Sequence, residues 1–259
     1  MSFHQTRTCL WSIPSRVVVL LTAWCCAADC PAADLDSLLN QTGFTGGLCV
    51  HLAGGGDGSR TVRLAQGGKL LVHRLDNNAS RVAKVRRFIE SKGLYGQISV
   101  EHWTSRTLPY SDNLVNILVA DDTLGISEDE MLRVLCPKGT MILKQGETYR
   151  MVRKPRSPRM GEWTHPWHGA NGNMFSEDTY LGIPNGVQWV AGPLFPLDAR
   201  KSSAHGLVSA NGRIFNLTQN ELSNLNRVGQ SLPNFLVARD AYNGLRLWRR
   251  PWKGPEISG

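Results

Sequence analysis

Between residues 48 and 144, short apolar runs alternate with segments of helical period, and turn residues separate the two kinds. The runs at 48–52, 69–75, 98–102, 115–121 and 140–144 have strand length. Between them, 60–66 reads as a short helix, 79–92 as a helix capped by Asn77 or Asn78 and stopped by Gly93, and 128–135 as a helix capped by Ser127. Strands separated by helices predict an α/β, doubly wound, mostly parallel sheet with helices on both faces. Ligands of such sheets sit outside the carboxyl ends of the strands.

The pattern changes near residue 149. Residues 149–161 are basic, proline-punctuated and without an apolar period, which predicts a linker. From 162 to 253 short alternating runs take over, at 186–193, 206–217 and 235–248, and 254–259 read as a tail. Asn211-Gly212 between two alternating runs predicts a type I′ hairpin. The chain thus divides into an α/β domain at 44–148 and an all-β unit at 162–253.

Candidate chemistry sits at the end of the first strand. The cluster Ala53-Gly54-Gly55-Gly56-Asp57-Gly58 follows it, and the second strand ends at Asp76, 18 residues after Gly58. Glycines in that place let the backbone approach a cofactor, and an acid about 20 residues on can accept hydrogen bonds from ribose hydroxyls.

Two later segments carry a resemblance. Leu108-Pro109-Tyr110-Ser111-Asp112-Asn113-Leu114-Val115-Asn116-Ile117-Leu118-Val119 resembles the fourth-strand region of class I S-adenosylmethionine-dependent methyltransferases, and Glu130 to Thr140, reading EMLRVLCPKGT, is similar to the helix and turn before their fifth strand. Together these cover about 46–145. The resemblance implies a Rossmann-like sheet and an S-adenosylmethionine site formed by Gly54, Gly56, Gly58, Asp76 and Thr104. It also exposes departures. His51 or Leu52 stands where the family has an acid near the end of strand 1. Thr104, in Trp103-Thr104-Ser105-Arg106-Thr107-Leu108-Pro109, replaces an acid near the adenine, and Asn116 replaces the usual Asp of strand 4. A neutral hydrogen bond is worth about 1 kcal/mol against roughly 1.5–3 for a charged one, so these losses predict weakened cofactor binding. Methyl transfer needs no compulsory catalytic set, because the sulfonium is already activated. His102 and Asp122 lie near strand ends but read as loop or capping residues.

The final hairpin, Phe235 to Arg249, resembles the blade signature of quinoprotein-like (PQQ-repeat) β-propellers, and Glu162 to Asn173 resembles an opening strand of that repeat. One blade with its lead-in cannot close a propeller, so the resemblance implies a partial propeller blade whose remaining blades are missing. It implies no quinone cofactor, since the repeat is chiefly a scaffold.

Composition changes the picture little. The 259 residues are 41% hydrophobic, enough for a core, and the formal net charge of +8 is dispersed, without a basic and aromatic stripe that would predict nucleic acid. Arg7 and Arg16 precede the apolar run Val17 to Ala28, which has signal-peptide length and predicts export, with 1–33 removed or forming an N-terminal segment. Beyond that segment no span is predicted. Of the six cysteines, Cys49 and Cys136 read as small core residues, and His165 and His168 are separated by Pro166, which argues against a metal pair. Two function classes follow: a methyltransferase of unknown substrate, or a non-catalytic exported binding or scaffold protein that keeps the fold.

Overall fold

Leu35, Leu38, Leu39 and Thr42 recur at helical spacing and place a helix, α1 (Leu35–Thr42), ahead of the first strand. The sequence places the start of the α/β domain only at residue 44. Leu35 and Leu38 are buried, Leu39 packs beside them, and the Thr42 hydroxyl donates to the Leu39 carbonyl at 2.7 Å to close the last turn. The structure, a computed structural model, describes residues 35–67, 70–180, 187–191, 204–219 and 234–252. The apolar N-terminal run expected to direct export lies outside them.

The α/β unit continues as β1 (Gly47–Leu52), α2 (Ser59–Ala65), β2 (Leu70–Asp76), α3 (Ala79–Ser91), β3 (Ile98–His102), β4 (Val115–Ala120), α4 (Glu128–Val134), β5 (Leu135–Gln145) and β6 (Thr148–Arg153). The sheet order is β3-β2-β1-β4-β5-β6. β1 to β5 are parallel and β6 returns antiparallel along β5. This is the doubly wound, Rossmann-like arrangement predicted. Every residue of β4 is buried, as expected of a central parallel strand covered on both faces. One face packs α1, α2 and α3 through Leu64, Val82, Val85 and Ile89, and the other packs α4 through Met131 and Val134. Asn78 caps α3 by accepting from Arg81 N, and Ser127 caps α4 by accepting from Glu130 N. Gly93 at φ 66° takes the left-handed position that ends α3. Cys49 and Cys136 are free, buried thiols whose pKa burial pushes up to about 12, in keeping with core residues.

The sheet reaches further than the sequence pattern predicted. β5 begins directly at the end of α4, with Lys138 at φ 67° and a register irregularity opposite Val115–Ile117. β6 takes residues 149–153 out of the segment 149–161 read as a linker. Its basic residues serve the fold: Arg150 pairs with Glu128, and the Lys154 ammonium donates to the carbonyls of Leu132 and Leu135, each at 2.7 Å, at the C-terminal end of α4. Charge that hides the strand period in the sequence is thus used to hold an edge strand and a helix end.

The second sheet is wholly antiparallel, with order β10-β9-β8-β7, from β7 (Ala204–Ala210), β8 (Arg213–Gln219), β9 (Asn234–Asp240) and β10 (Arg246–Pro251). Asn211 at φ 53° and Gly212 at φ 73° form the predicted hairpin turn, since a type I′ turn needs both residues left-handed. The run expected at 186–193 is not a strand in its described part, 187–191. Trp163 instead bridges Ser209 on the β7 edge.

A buried polar group joins the two sheets. Asn116 Oδ1 accepts from Leu48 N at 2.8 Å and from Asn243 Nδ2 at 2.7 Å, and Asn116 Nδ2 donates to Asp240 Oδ2 at 2.8 Å. Asp240 Oδ1 accepts from Tyr242 N at 2.8 Å. Burial raises the Asp240 pKa against these hydrogen bonds. Asn116 lies near the amino end of β4, away from the carboxyl ends where ligands gather. The sequence argument that its lost charge weakens a cofactor is therefore corrected: the residue serves the junction between the sheets.

Candidate active site

At the carboxyl ends of β1 and β4, where the strand order reverses direction, an open cleft of about 460 Å³ is lined by His51, the loop Gly54 to Ser59, Arg60, Arg74, Asp121, Asp122 and Lys144. Its lining carries both signs of charge, with Arg60, Arg74 and Lys144 beside Asp57, Asp121 and Asp122.

The loop conformation demands its glycines. Gly56 (φ 79°) and Gly58 (φ 99°) are left-handed. A Cβ at Gly58 would lie 2.9 Å from Val85 Cγ1 of α3, and one at Gly54 would lie 2.1 Å from Asp122 Oδ2. Close packing of α3 and of the segment after β4 therefore fixes the loop at both ends. All three glycines singled out in the sequence line the cleft.

Beneath the loop is a continuous polar network. His51, 1% exposed, has Nε2 3.0 Å from Asp121 Oδ2 and Nδ1 3.0 Å from Thr61 Oγ1. Arg60 holds the other Asp121 oxygen. Arg74, also 1% exposed, donates to Thr61 Oγ1 at 3.2 Å, to the Gly55 carbonyl at 2.7 Å and to Asp76 Oδ2 at 2.8 Å. One arrangement satisfies the set: His51 Nε2–H donates to Asp121, and the Thr61 hydroxyl donates to Nδ1 while accepting from Arg74. His51 is thereby a neutral, fully engaged residue.

Asp76 stands at the end of β2 as predicted, with no exposed surface. Arg81 donates to it through Nε, 3.0 and 2.8 Å from the two oxygens, and through Nη2 at 2.7 Å, and Asn78 N donates to Oδ1 at 3.0 Å. Burial acts to raise its pKa, but the bonds from Arg81 and then Arg74 prevail and hold the carboxyl below its ordinary value. Thr104 is exposed in the segment after β3 and does not line the cleft. His102, also exposed, lies 3.2 Å from the Asn77 carbonyl through Nε2. Among the described residues no group of three or more His, Cys, Asp or Glu could hold a metal.

No family model matches the chain, and no curated protein matches it. Among solved structures, it is similar to a protein of Methanococcus maripaludis described as an S-adenosylmethionine-dependent methyltransferase, at 22% identity over 42% of this chain and 52% of that one, with a TM-score of 0.37. A protein of Galdieria sulphuraria described as a sarcosine dimethylglycine methyltransferase matches at 23% identity over 42% and 43%, TM-score 0.38. A methyltransferase of Aquifex aeolicus matches at 19% over 44% and 67%, TM-score 0.36. The chain spans about half the length of the first two. No helix among the described residues is long and apolar enough to cross a membrane.

Arg74, Arg60, Thr61, Arg81 and Lys144 escaped the sequence reading. Arg74 left a readable trace: a charge inside an apolar strand, two residues before Asp76 and so on the same face. The network also predicts a pH dependence. His51 is pushed below its ordinary pKa by burial first, with Arg74 and Arg60 adding to this and Asp121 opposing it. Below about pH 6.5 the unfolded histidine takes up a proton that the folded one refuses, so this stability is present above that pH and lost as pH falls. Thermal midpoints should drop between pH 7 and pH 5. His51→Gln should flatten part of the slope, while His73, shifted the same way by burial, keeps the remainder.

Proposed function

We propose that the cleft binds S-adenosylmethionine and that the protein is a methyltransferase whose substrate approaches over the carboxyl ends of β1 and β4. The observation that carries this reading is the glycine loop closing a cleft of mixed charge at the strand-order reversal. The methionyl end of S-adenosylmethionine is a zwitterion. A lining that sets Arg60 and Lys144 beside the exposed carboxylates of Asp57 and Asp122 offers partners to its ammonium and to its carboxylate. The bound molecule supplies an activated methyl group, and the protein's part is to align the acceptor and exclude water. Gly54, Gly56 and Gly58 let the backbone approach and Asp76 is the ribose-side acid, while Thr104, outside the cleft lining, is given no part.

One observation favours a second reading, a binding or scaffold protein that retains the fold. His51 has both ring nitrogens engaged and Asp76 is covered by arginine, so neither stands ready for a ligand. Under either reading we assign the antiparallel sheet to a quinoprotein-like propeller blade acting as scaffold, on the hairpin signature ending in Trp248. Hydrogen exchange with and without millimolar S-adenosylmethionine tests the first reading. It predicts slowed exchange of backbone amides at 53–60 and 121–123, and unchanged exchange there would contradict it.

A further inference from the structure

Resting on the methyl-donor reading, we propose that Arg81 controls access of ribose-bearing ligands to Asp76 and thereby sets the affinity of the cleft for its adenosyl ligand. A carboxylate offers about four lone-pair directions. Those of Asp76 are taken by Arg81, Arg74 and the Asn78 amide, so none remains for a ribose hydroxyl. The acid nevertheless abuts the cleft, because a single nitrogen of Arg74 donates both to Asp76 Oδ2 and to the carbonyl of Gly55 in the glycine loop.

The partners of Asp76 differ in how readily they leave. Arg74 is 1% exposed and pinned by Thr61 and Gly55, so moving it strands a buried charge. The Asn78 amide belongs to the backbone of the α3 cap. Arg81 is 26% exposed on the first turn of α3, and its remaining side-chain bond is to Asn77 Oδ1 at 3.2 Å. Of the two arginines on Asp76 it is the one with exposed surface, so its guanidinium can turn to water without stranding a buried charge. Asp122, whose charge also acts on Arg81, lines the cleft mouth and offers the displaced guanidinium a second carboxylate.

A ligand whose ribose diol bonds Asp76 must first displace Arg81, and its apparent affinity falls by the fraction of molecules in which the acid is open. Arg81 therefore selects for ligands with enough other contacts to open the site. Removing the guanidinium leaves Asp76 bonded to Arg74 and Asn78, with one side free.

Equilibrium dialysis of the whole chain with radiolabelled S-adenosylmethionine tests this on wild type, Arg81→Met, Arg81→Lys and Arg81→Met/Asp76→Asn, each first checked for a cooperative melt. The expected result is binding about tenfold tighter in Arg81→Met, with a smaller gain in Arg81→Lys, which keeps the charge without the fork. The gain should vanish in the double variant and for an analogue lacking the ribose diol. Equal or weaker binding by Arg81→Met, with wild type binding, overturns the access role and leaves the cofactor site standing. No binding by wild type or either single variant removes the cofactor site itself, and the access role with it.

Discussion

Asn116→Ala should cost roughly 3–5 kcal/mol of unfolding free energy, because truncation removes the side-chain acceptor of Leu48 N–H and takes one bond each from Asn243 Nδ2, left with the Leu114 carbonyl, and from the Asp240 carboxylate, left with Tyr242 N, at about 1–3 kcal/mol each. A domain is stable by only about 5–15 kcal/mol, so this is a large fraction of the whole. Urea unfolding followed by tryptophan fluorescence measures it. A loss below about 1 kcal/mol would mean that water replaces the side chain and that the junction is not a dry network. Asn116→Asp is informative in another way. It restores the acid usual at this position in the methyltransferase pattern, but sets it against Asp240, so at neutral pH it should destabilise as well, and acidification should relieve it. In this chain the amide suits strand 4 because it faces an acid of the second sheet, a reason that no local pattern contains.

Asp76→Ala should cost a further large amount, about 3–5 kcal/mol, since it leaves the buried Arg74 guanidinium without its countercharge. Arg81 loses the same partner but is partly exposed and rehydrates. The double variant Arg74→Met/Asp76→Ala should recover much of the loss, because replacing a buried ion pair by apolar groups is close to neutral. Equal stabilities of the double variant and Asp76→Ala would show that Arg74 is not the stranded charge. Any binding comparison at this position is therefore better made with Asp76→Asn, which keeps size and an acceptor oxygen, than with the alanine variant.

The course of the parallel sheet was legible because its strands and helices are bounded by local signals: Asn78, Gly93 and Ser127 act where the sequence places them. α1 was equally legible from the spacing of Leu35, Leu38, Leu39 and Thr42, and was lost only beside a more conspicuous N-terminal apolar run. β6 was obscured by chemistry. Arg150 and Arg153 break the apolar period that marks a strand, and their partners lie in α4 and β5, more than a dozen residues away in sequence. At the site, the glycines and Asp76 could be found because spacing alone encodes them. Arg74 left its trace on the same strand face as Asp76, but the pairing with Arg81 could not be read, since an arginine in a helix looks like solvated charge until the fold brings it to the strand end.

The central claim is that the cleft between the glycine loop and the end of β4 is a methyl-donor site, and calorimetric titration of the whole chain with S-adenosylmethionine tests it most directly. The account predicts saturable heat with a dissociation constant between about 10 micromolar and 1 millimolar, weakened by the cost of opening Asp76. Absence of heat up to several millimolar, in wild type and in Arg81→Met alike, would contradict it.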